Sequence, residues 1–308
     1  MAILPHLSGT LQGLEPRFSR GPVDQGNTVD VGYDLLIDTD RLDLADCIGH
    51  GVILRYRDAM QCLSCERTIR KAYGRAYCYD CFISLARTDL CFVSPDRCHF
   101  NAGTCREPEW GASVCMQPHT VYLANTSGPK IGITRKGREL RRWADQGAAM
   151  AMAIARAPSR RAAGAMEAYF KGQLSDRTDW RKLVAGAGMP GNLSQLRDEL
   201  FEQRHEINST DPSQIPVDEI DGLQWIDVPV VTEFRYPVQM YSPPQRLVLG
   251  AEQIVIKGNL CGAIGQFLLL SGGVFNVADH RAMAVEIELT EPLTGDAVSG
   301  SQQMSLFS

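Results

Sequence analysis

Eight of the ten cysteines fall between positions 60 and 118, and their spacing limits what this chain can fold into more than any other feature. Cys62-x2-Cys65 and Cys78-x2-Cys81 are two knuckles separated by twelve residues, each offering two thiolates. Two such knuckles close into one tetrahedral site, which is the spacing of a zinc ribbon. A disulfide framework would need an oxidising compartment. Met1-Ala2-Ile3-Leu4-Pro5 has neither a basic n-region nor a long apolar h-region, and no apolar run approaches the roughly 20 residues of a membrane span. The expectation is therefore a cytoplasmic chain with no membrane partner and a structural zinc on Cys62, Cys65, Cys78 and Cys81.

The cysteines that follow are less regular. Cys91, Cys98, His99, Cys105, Cys115 and His119 place six soft or borderline ligands within 29 positions. That density points to a second zinc, most simply on Cys91, Cys98, Cys105 and either His119 or Cys115. The spacing matches no ligand template, so a set of buried free thiols stays open as the alternative.

A net charge of −5 over 308 residues hides a strong asymmetry. Between Lys130 and Lys182 thirteen Lys and Arg face five acids, a surplus of eight positive charges. Between Asp198 and Asp227 nine acids face Arg204 alone, a surplus of eight negative charges. A basic block inside an acidic chain points to a polyanionic partner, nucleic acid first, with Arg135, Arg138, Arg141, Arg160 and Arg161 as its contacts. A solvated helix face paired with the acidic block would give the same charge pattern.

In chain order, 1–59 reads as β scaffold, with Val29, Val31, Tyr33, Leu35 and Ile37 alternating in period two and Val52, Leu54 and Tyr56 repeating the pattern. The cysteine-rich region spans 60–118. Next, Val121 to Ala124 and Lys130 to Ile133 flank the turn chemistry of Asn125-Thr126-Ser127-Gly128-Pro129, which predicts a β-hairpin. A helix from Gly137 to Asp145, a strand from Ala149 to Ala155 and a helix from Arg160 to Gln173 capped by Ser159 complete a ββαβα unit. Its domain runs over 119–205, with further helices at 179–184 and 193–203. An acidic linker at 206–222 leads to a β domain at 223–290, whose strands include Trp225 to Val231 and Gln253 to Lys257. Gly258, Gly262, Gly265, Gly272 and Gly273 are expected as tight turns. The tail is 291–308.

Tyr122, the run Lys130-Ile131-Gly132-Ile133-Thr134, an Arg in the next helix and Glu167 in the helix after resemble the GIY-YIG nuclease superfamily, in its Lys-Ile-Gly-Ile-Thr branch. The resemblance covers about 119–183. With the cysteine block and the phrase Gly103-Thr104-Cys105-Arg106-Glu107-Pro108-Glu109-Trp110, the whole chain also resembles a bacterial family defined only as a domain of unknown function, which implies no activity. The superfamily pattern makes Tyr122 the first-motif tyrosine, Gly132 the second-motif glycine, Arg142 the helix arginine (Arg141 and Arg138 being the register alternatives) and Glu167 the metal-binding carboxylate. Lys130 stands where the superfamily has its second tyrosine. The implied fold class is α+β: a GIY-YIG-like mixed α/β domain with a zinc ribbon and flanking β-barrel or sandwich segments.

Such a site would hydrolyse phosphodiesters, with Glu167 holding one Mg²⁺ or Mn²⁺ and Arg142 neutralising a phosphate oxygen. Tyr122 would take a proton from water if nearby cations such as Lys130 lowered its pKa. Gly132 would let a nucleic-acid backbone approach the strand.

Gln303-Met304-Ser305-Leu306-Phe307 resembles the pentapeptide with which many bacterial replication and repair proteins dock on the sliding clamp, Gln303, Met304, Leu306 and Phe307 being the contacts. The expectation is a DNA endonuclease of replication or repair brought to its site by the clamp. A zinc-containing nucleic-acid-binding protein whose GIY-YIG-like site has lost catalysis, and a protein-interaction scaffold built on zinc, stay open beside it.

Overall fold

The computed structural model describes residues 5–20, 27–171, 173–174, 178–187, 191–205, 217 and 220–294. Most of the expected linker, and the tail with Gln303, Met304, Leu306 and Phe307, lie outside the described residues. The strands are β1 (His6–Arg20), β2 (Thr28–Ile37), β3 (Asp40–Asp43), β4 (Gly51–Gln61), β5 (Thr68–Ile69), β6 (His119–Asn125), β7 (Pro129–Arg135) and β8 (Met150–Ala157). They continue with β9 (Gln224–Trp225), β10 (Thr232–Arg235), β11 (Arg246–Leu247), β12 (Val255–Ile264), β13 (Phe267–Leu270), β14 (Gly273–Asn276) and β15 (Met283–Thr290). The helices are α1 (Tyr79–Ser84), α2 (Leu90–Val93), α3 (Pro108–Val114), α4 (Glu139–Asp145), α5 (Arg160–Phe170), α6 (Trp180–Val184) and α7 (Leu193–Glu202).

The fold is mixed α/β, and its strands form one 15-stranded sheet. The path runs β11-β14-β13-β12-β4-β15-β1-β2-β10-β8-β6-β7, with β3 beside β2, β5 beside β4 and β9 beside β8. β10 pairs with β2 and β11 with β14 in parallel, while the other pairs are antiparallel. Strands from the two ends of the chain interleave, since β15 lies between β1 and β4. β1 makes this continuity: His6 to Thr10 pair with β15, Leu11 to Arg20 with β2, and the register slips between Leu11 and Gly13, a bulge where the strand turns from one partner to the other.

Two strand expectations need correction. Trp225 to Val231 is not one strand: the ladder stops at Trp225 and resumes at Thr232, and Pro229 in between has no N–H to give. β12 runs through Gly258 and Gly262 without turning; at Gly262 the register shifts instead, and a Cβ there would lie 2.6 Å from the Pro237 carbonyl oxygen. Gly265 and Gly272 do lie in turns.

Period-two burial follows the hydrophobic pattern of β2, where Val29, Val31, Tyr33, Leu35 and Ile37 are all buried in the principal core with Leu54, Tyr122 and Trp143. A second core lies beneath α5, joining Val121, Leu123, Ile131 and Ile133 to Met166 and Phe170. Met166 is fully buried, and cutting such a side chain to Ala costs ~2–5 kcal/mol. Alternation along β6 thus sends Tyr122 and Ala124 to the core beside α4, and Val121 and Leu123 to the core beside α5. No helix among the described residues is long and apolar enough to cross a membrane.

Candidate metal centre and anion cleft

The Cys62, Cys65, Cys78 and Cys81 sulfurs all lie within 4.8 Å of one another. The second knuckle is shaped by α1, whose N-cap is Cys78: its sulfur accepts from the Cys81 N–H at 3.4 Å. Burial works against ionising Cys62, but the backbone N–H groups of Cys78, Cys65 and Ser64 outweigh it and lower the thiol to about 6. Four converging thiols, one of them already stabilised as thiolate, are a donor set that can hold a structural metal ion such as zinc.

The second predicted ligand set does not assemble as expected. Cys91 is brought together with Asp89 and His99, their ligand atoms within 4.8 Å of one another. Burial first, then the Asp89 carboxylate, with Cys98, Cys115 and Cys105 adding to it, raise the Cys91 thiol to about 11. His119 belongs elsewhere: it is buried on β6, with its ring Nδ1 2.7 Å from the Gln117 carbonyl oxygen, and it lines a different feature.

That feature is a cleft of about 450 Å³ at the edge of the sheet, beside β7. Arg135, Arg138, Arg142 and Arg160 face into it with His119, Thr134 and Glu167, and Phe92, Val93, Pro95 and Val114 of the cysteine-rich segment form the opposite wall. Four guanidinium groups against one carboxylate give it a surplus of positive charge. Arg160 donates from Nη2 to the Phe92 carbonyl at 2.6 Å, while its buried Nε–H has no hydrogen-bond partner among the described residues. An unpaired buried donor costs about 1–3 kcal/mol, which an anion in the cleft would recover.

α4 carries Arg142, and both of its ends are pinned. At the N-terminal turn the Thr120 hydroxyl donates to Glu139 Oε1 at 2.6 Å, and Arg156 Nη1 donates to the same oxygen at 2.9 Å and to the Thr120 hydroxyl. Burial works to raise the Glu139 pKa, but the Thr120 hydroxyl, its own backbone N–H, Arg156 and the Gly137 N–H outweigh it and hold the carboxyl below its usual value. At the C-terminal end Gly147 takes φ +69°, and the Gly147 and Ala148 N–H groups return to the Ala144 and Trp143 carbonyls. Buried Tyr33 and half-buried Tyr236 donate to the carbonyls of Ala144 and Ala148.

Held this way, Arg142 keeps solvent access along the cleft, and its charge acts on the buried Tyr122 phenol. The Tyr122 hydroxyl in turn donates to Gln146 Oε1 at 2.9 Å. Tyr122 lies opposite Gly132 across the hairpin, and a Cβ on residue 132 would sit 2.6 Å from the phenol oxygen. Gly132 therefore makes room for the tyrosine ring, which corrects the expectation that it admits a nucleic-acid backbone.

A second correction concerns Tyr122 itself. Burial raises its pKa above the usual 10, with Arg142 only partly offsetting this, so at neutral pH the phenol is a hydrogen-bond donor and a poor base. Lys130 is buried, and its charge acts on Glu167. The Glu167 carboxyl is pushed above its usual value by burial, against the pull of Arg142, Arg160, Lys130 and Lys171.

Arg142 and Glu167 thus share the cleft with Arg135, Arg138 and Arg160, while Tyr122 and Lys130 are buried, Arg142 acting on Tyr122 and Lys130 on Glu167 through their charges. Arg141 does not: it pairs with Glu15 and lines a neighbouring cleft of about 510 Å³ with Asp145, Gln266, Arg281 and Arg142, which borders both clefts, while Arg161 is exposed. Sequence reasoning missed Asp89 and Gln146, and it missed Asp145, whose carboxyl burial raises to about 6. Neither spacing nor charge marks them out. A family model described as "Protein of unknown function (DUF2797)" matches residues 49–285. The chain belongs to the DUF2797 family. The match takes in β4, the cysteine-rich segment, the cleft and the start of β15. No curated protein and no solved structure matches the chain.

Proposed function

We propose that this DUF2797 protein is a metal-dependent DNA endonuclease of GIY-YIG type, whose substrate phosphodiester lies in the Arg135–Glu167 cleft. The observation that carries the reading is one cleft that brings Arg142 and Glu167 together with Arg135, Arg138 and Arg160, the buried Tyr122 lying close enough to act on the Arg142 charge. In that arrangement Arg142 would neutralise charge on the scissile phosphate, and Tyr122 would hold the guanidinium in place from behind. Arg135, Arg138 and Arg160 would bind neighbouring phosphates. Glu167 offers a single carboxylate, which suits Mg²⁺ or Mn²⁺ because such ions are commonly held by one or two carboxylates, water and substrate phosphate. When bound, the ion would supply Lewis-acid charge neutralisation.

Since Tyr122 is a poor base, the proton acceptor in this reading is His119. A carbonyl oxygen only accepts, so the ring carries its proton on Nδ1 toward Gln117, which leaves the Nε2 lone pair for the cleft. Burial, with Arg160 and Arg135 beside it, holds His119 below the ordinary 6.5, and it is neutral at pH 7. Protonation removes the acceptor, so cleavage should rise with pH through a pKa below 6.5 and then level. Rates on labelled single-stranded and branched DNA with Mg²⁺ from about pH 5 to about pH 8 test this. The acidic limb should vanish in His119→Ala; an unchanged limb in that variant removes His119 from the mechanism, and no cleavage of any substrate removes the enzyme reading.

A second reading is a nucleic-acid-binding module without catalysis, favoured by the complete burial of Tyr122 and its commitment to Gln146. Recruitment to a sliding clamp through Gln303, Met304, Leu306 and Phe307 rests on sequence resemblance alone.

A further inference from the structure

None of residues 57–118 belongs to any of the three apolar cores. The Cys62–Cys81 site can staple the first third of this segment. From Ala86 to Val114 the chain forms only helical pieces of three to seven residues, and Leu90 and Val93 are 71% and 82% exposed. Pieces that short do not hold their shape without packing or a cross-link, and all ten cysteines are free thiols.

We infer that a second metal centre holds this half of the segment, built on Asp89, Cys91 and His99, completed by one thiol among Cys98, Cys105 and Cys115, and selective for zinc-class cations. The three groups already converge to within 4.8 Å. Around them sits the kind of shell that orients metal ligands. The Thr104 hydroxyl donates to the His99 carbonyl at 3.4 Å, so its oxygen is left to accept from the ring Nδ1–H at 2.8 Å. That fixes the tautomer with the lone pair on Nε2, which lies 3.6 Å from Asp89. Arg106 Nε lies 2.7 Å from Asp89 Oδ2 and orients the carboxylate. Mixed thiolate, imidazole and carboxylate donors suit a tetrahedral borderline cation better than Mg²⁺ or Ca²⁺.

This centre would also set the cleft wall. Cys91 precedes Phe92, whose carbonyl receives Arg160, and the Arg160 N–H donates to the Cys115 carbonyl at 2.8 Å. Pro95 stands against Gly164 of α5, where a Cβ would meet it at 2.4 Å. A cation at Cys91 would therefore fix the strand-edge wall against which Arg160 is positioned.

The test is the metal content of the full chain purified under reducing conditions. Close to two zinc ions per chain are expected, falling to about one in Cys91→Ser and in His99→Ala, and to about one in Cys62→Ser. One zinc per wild-type chain, or a content unchanged by both Cys91→Ser and His99→Ala, overturns the centre. Should either variant fail to fold, wild-type protein produced in cobalt-supplemented medium decides the matter: about two cobalt ions per chain with thiolate charge-transfer absorption support the centre, and one cobalt ion overturns it. Metal content is read without any DNA, so its failure is separate from failure of the nuclease reading.

Discussion

Arg142→Ala is expected to lower single-turnover cleavage of DNA by on the order of 10²- to 10³-fold, the loss typical when one preorganised transition-state donor is removed. Arg142 lines the cleft with its charge acting on Tyr122, and its helix is pinned at both ends by Glu139 and Tyr33. Binding should suffer far less. Arg135, Arg138 and Arg160 remain, so the salt dependence of affinity should fall by about one phosphate contact. Arg141→Ala is the control, because Arg141 pairs with Glu15 outside the cleft. Equal rates for Arg142→Ala and wild type would remove Arg142 from the chemistry.

Cys62→Ser should have the larger effect on structure. A structural zinc site can contribute about 10–16 kcal/mol of apparent binding energy at pH 7, comparable with the whole stability of an ordinary domain at about 5–15 kcal/mol. No apolar core underlies the knuckles, so their loss should unfold the segment locally. Hydrogen exchange should show protection lost over 62–84 and kept in β6 and β8, which are held by the cores on both faces of the sheet. Full protection over 62–84 with the zinc gone would mean that hydrogen bonds such as Leu63 N–H to Ala76 carbonyl suffice on their own.

What the sequence disclosed follows from how local the determining physics is. The Cys62–Cys81 cluster could be read because two pairs of thiols three residues apart leave few geometries open, and the ββαβα elements because turn chemistry and periodicity are local signals. Ser159 caps α5 as expected, its side chain accepting from the Ala162 N–H. β1 handing over between β15 and β2 could not be read, because pairing across more than 200 positions leaves no mark in a window of residues. The same holds for the site. Tyr122, Arg142 and Glu167 could be picked out by resemblance, but the base strength of Tyr122 depends on a burial that only the folded core creates. His119 looked like a zinc ligand because it follows a run of cysteines, yet β6 carries it to the cleft and away from them. Asp89 carried no signal until the fold set it beside Cys91 and His99.

The central claim is that the Arg-lined cleft hydrolyses phosphodiesters with Glu167 as its metal-holding carboxylate. It is tested most directly by assaying wild type and Glu167→Gln side by side on end-labelled branched DNA with Mg²⁺, measuring both cleavage and affinity. Strand cleavage is expected from wild type and none from Glu167→Gln, with DNA affinity the same or tighter once the carboxylate charge is gone. Equal cleavage by both proteins, or no cleavage by wild type while DNA binding is intact, would contradict it.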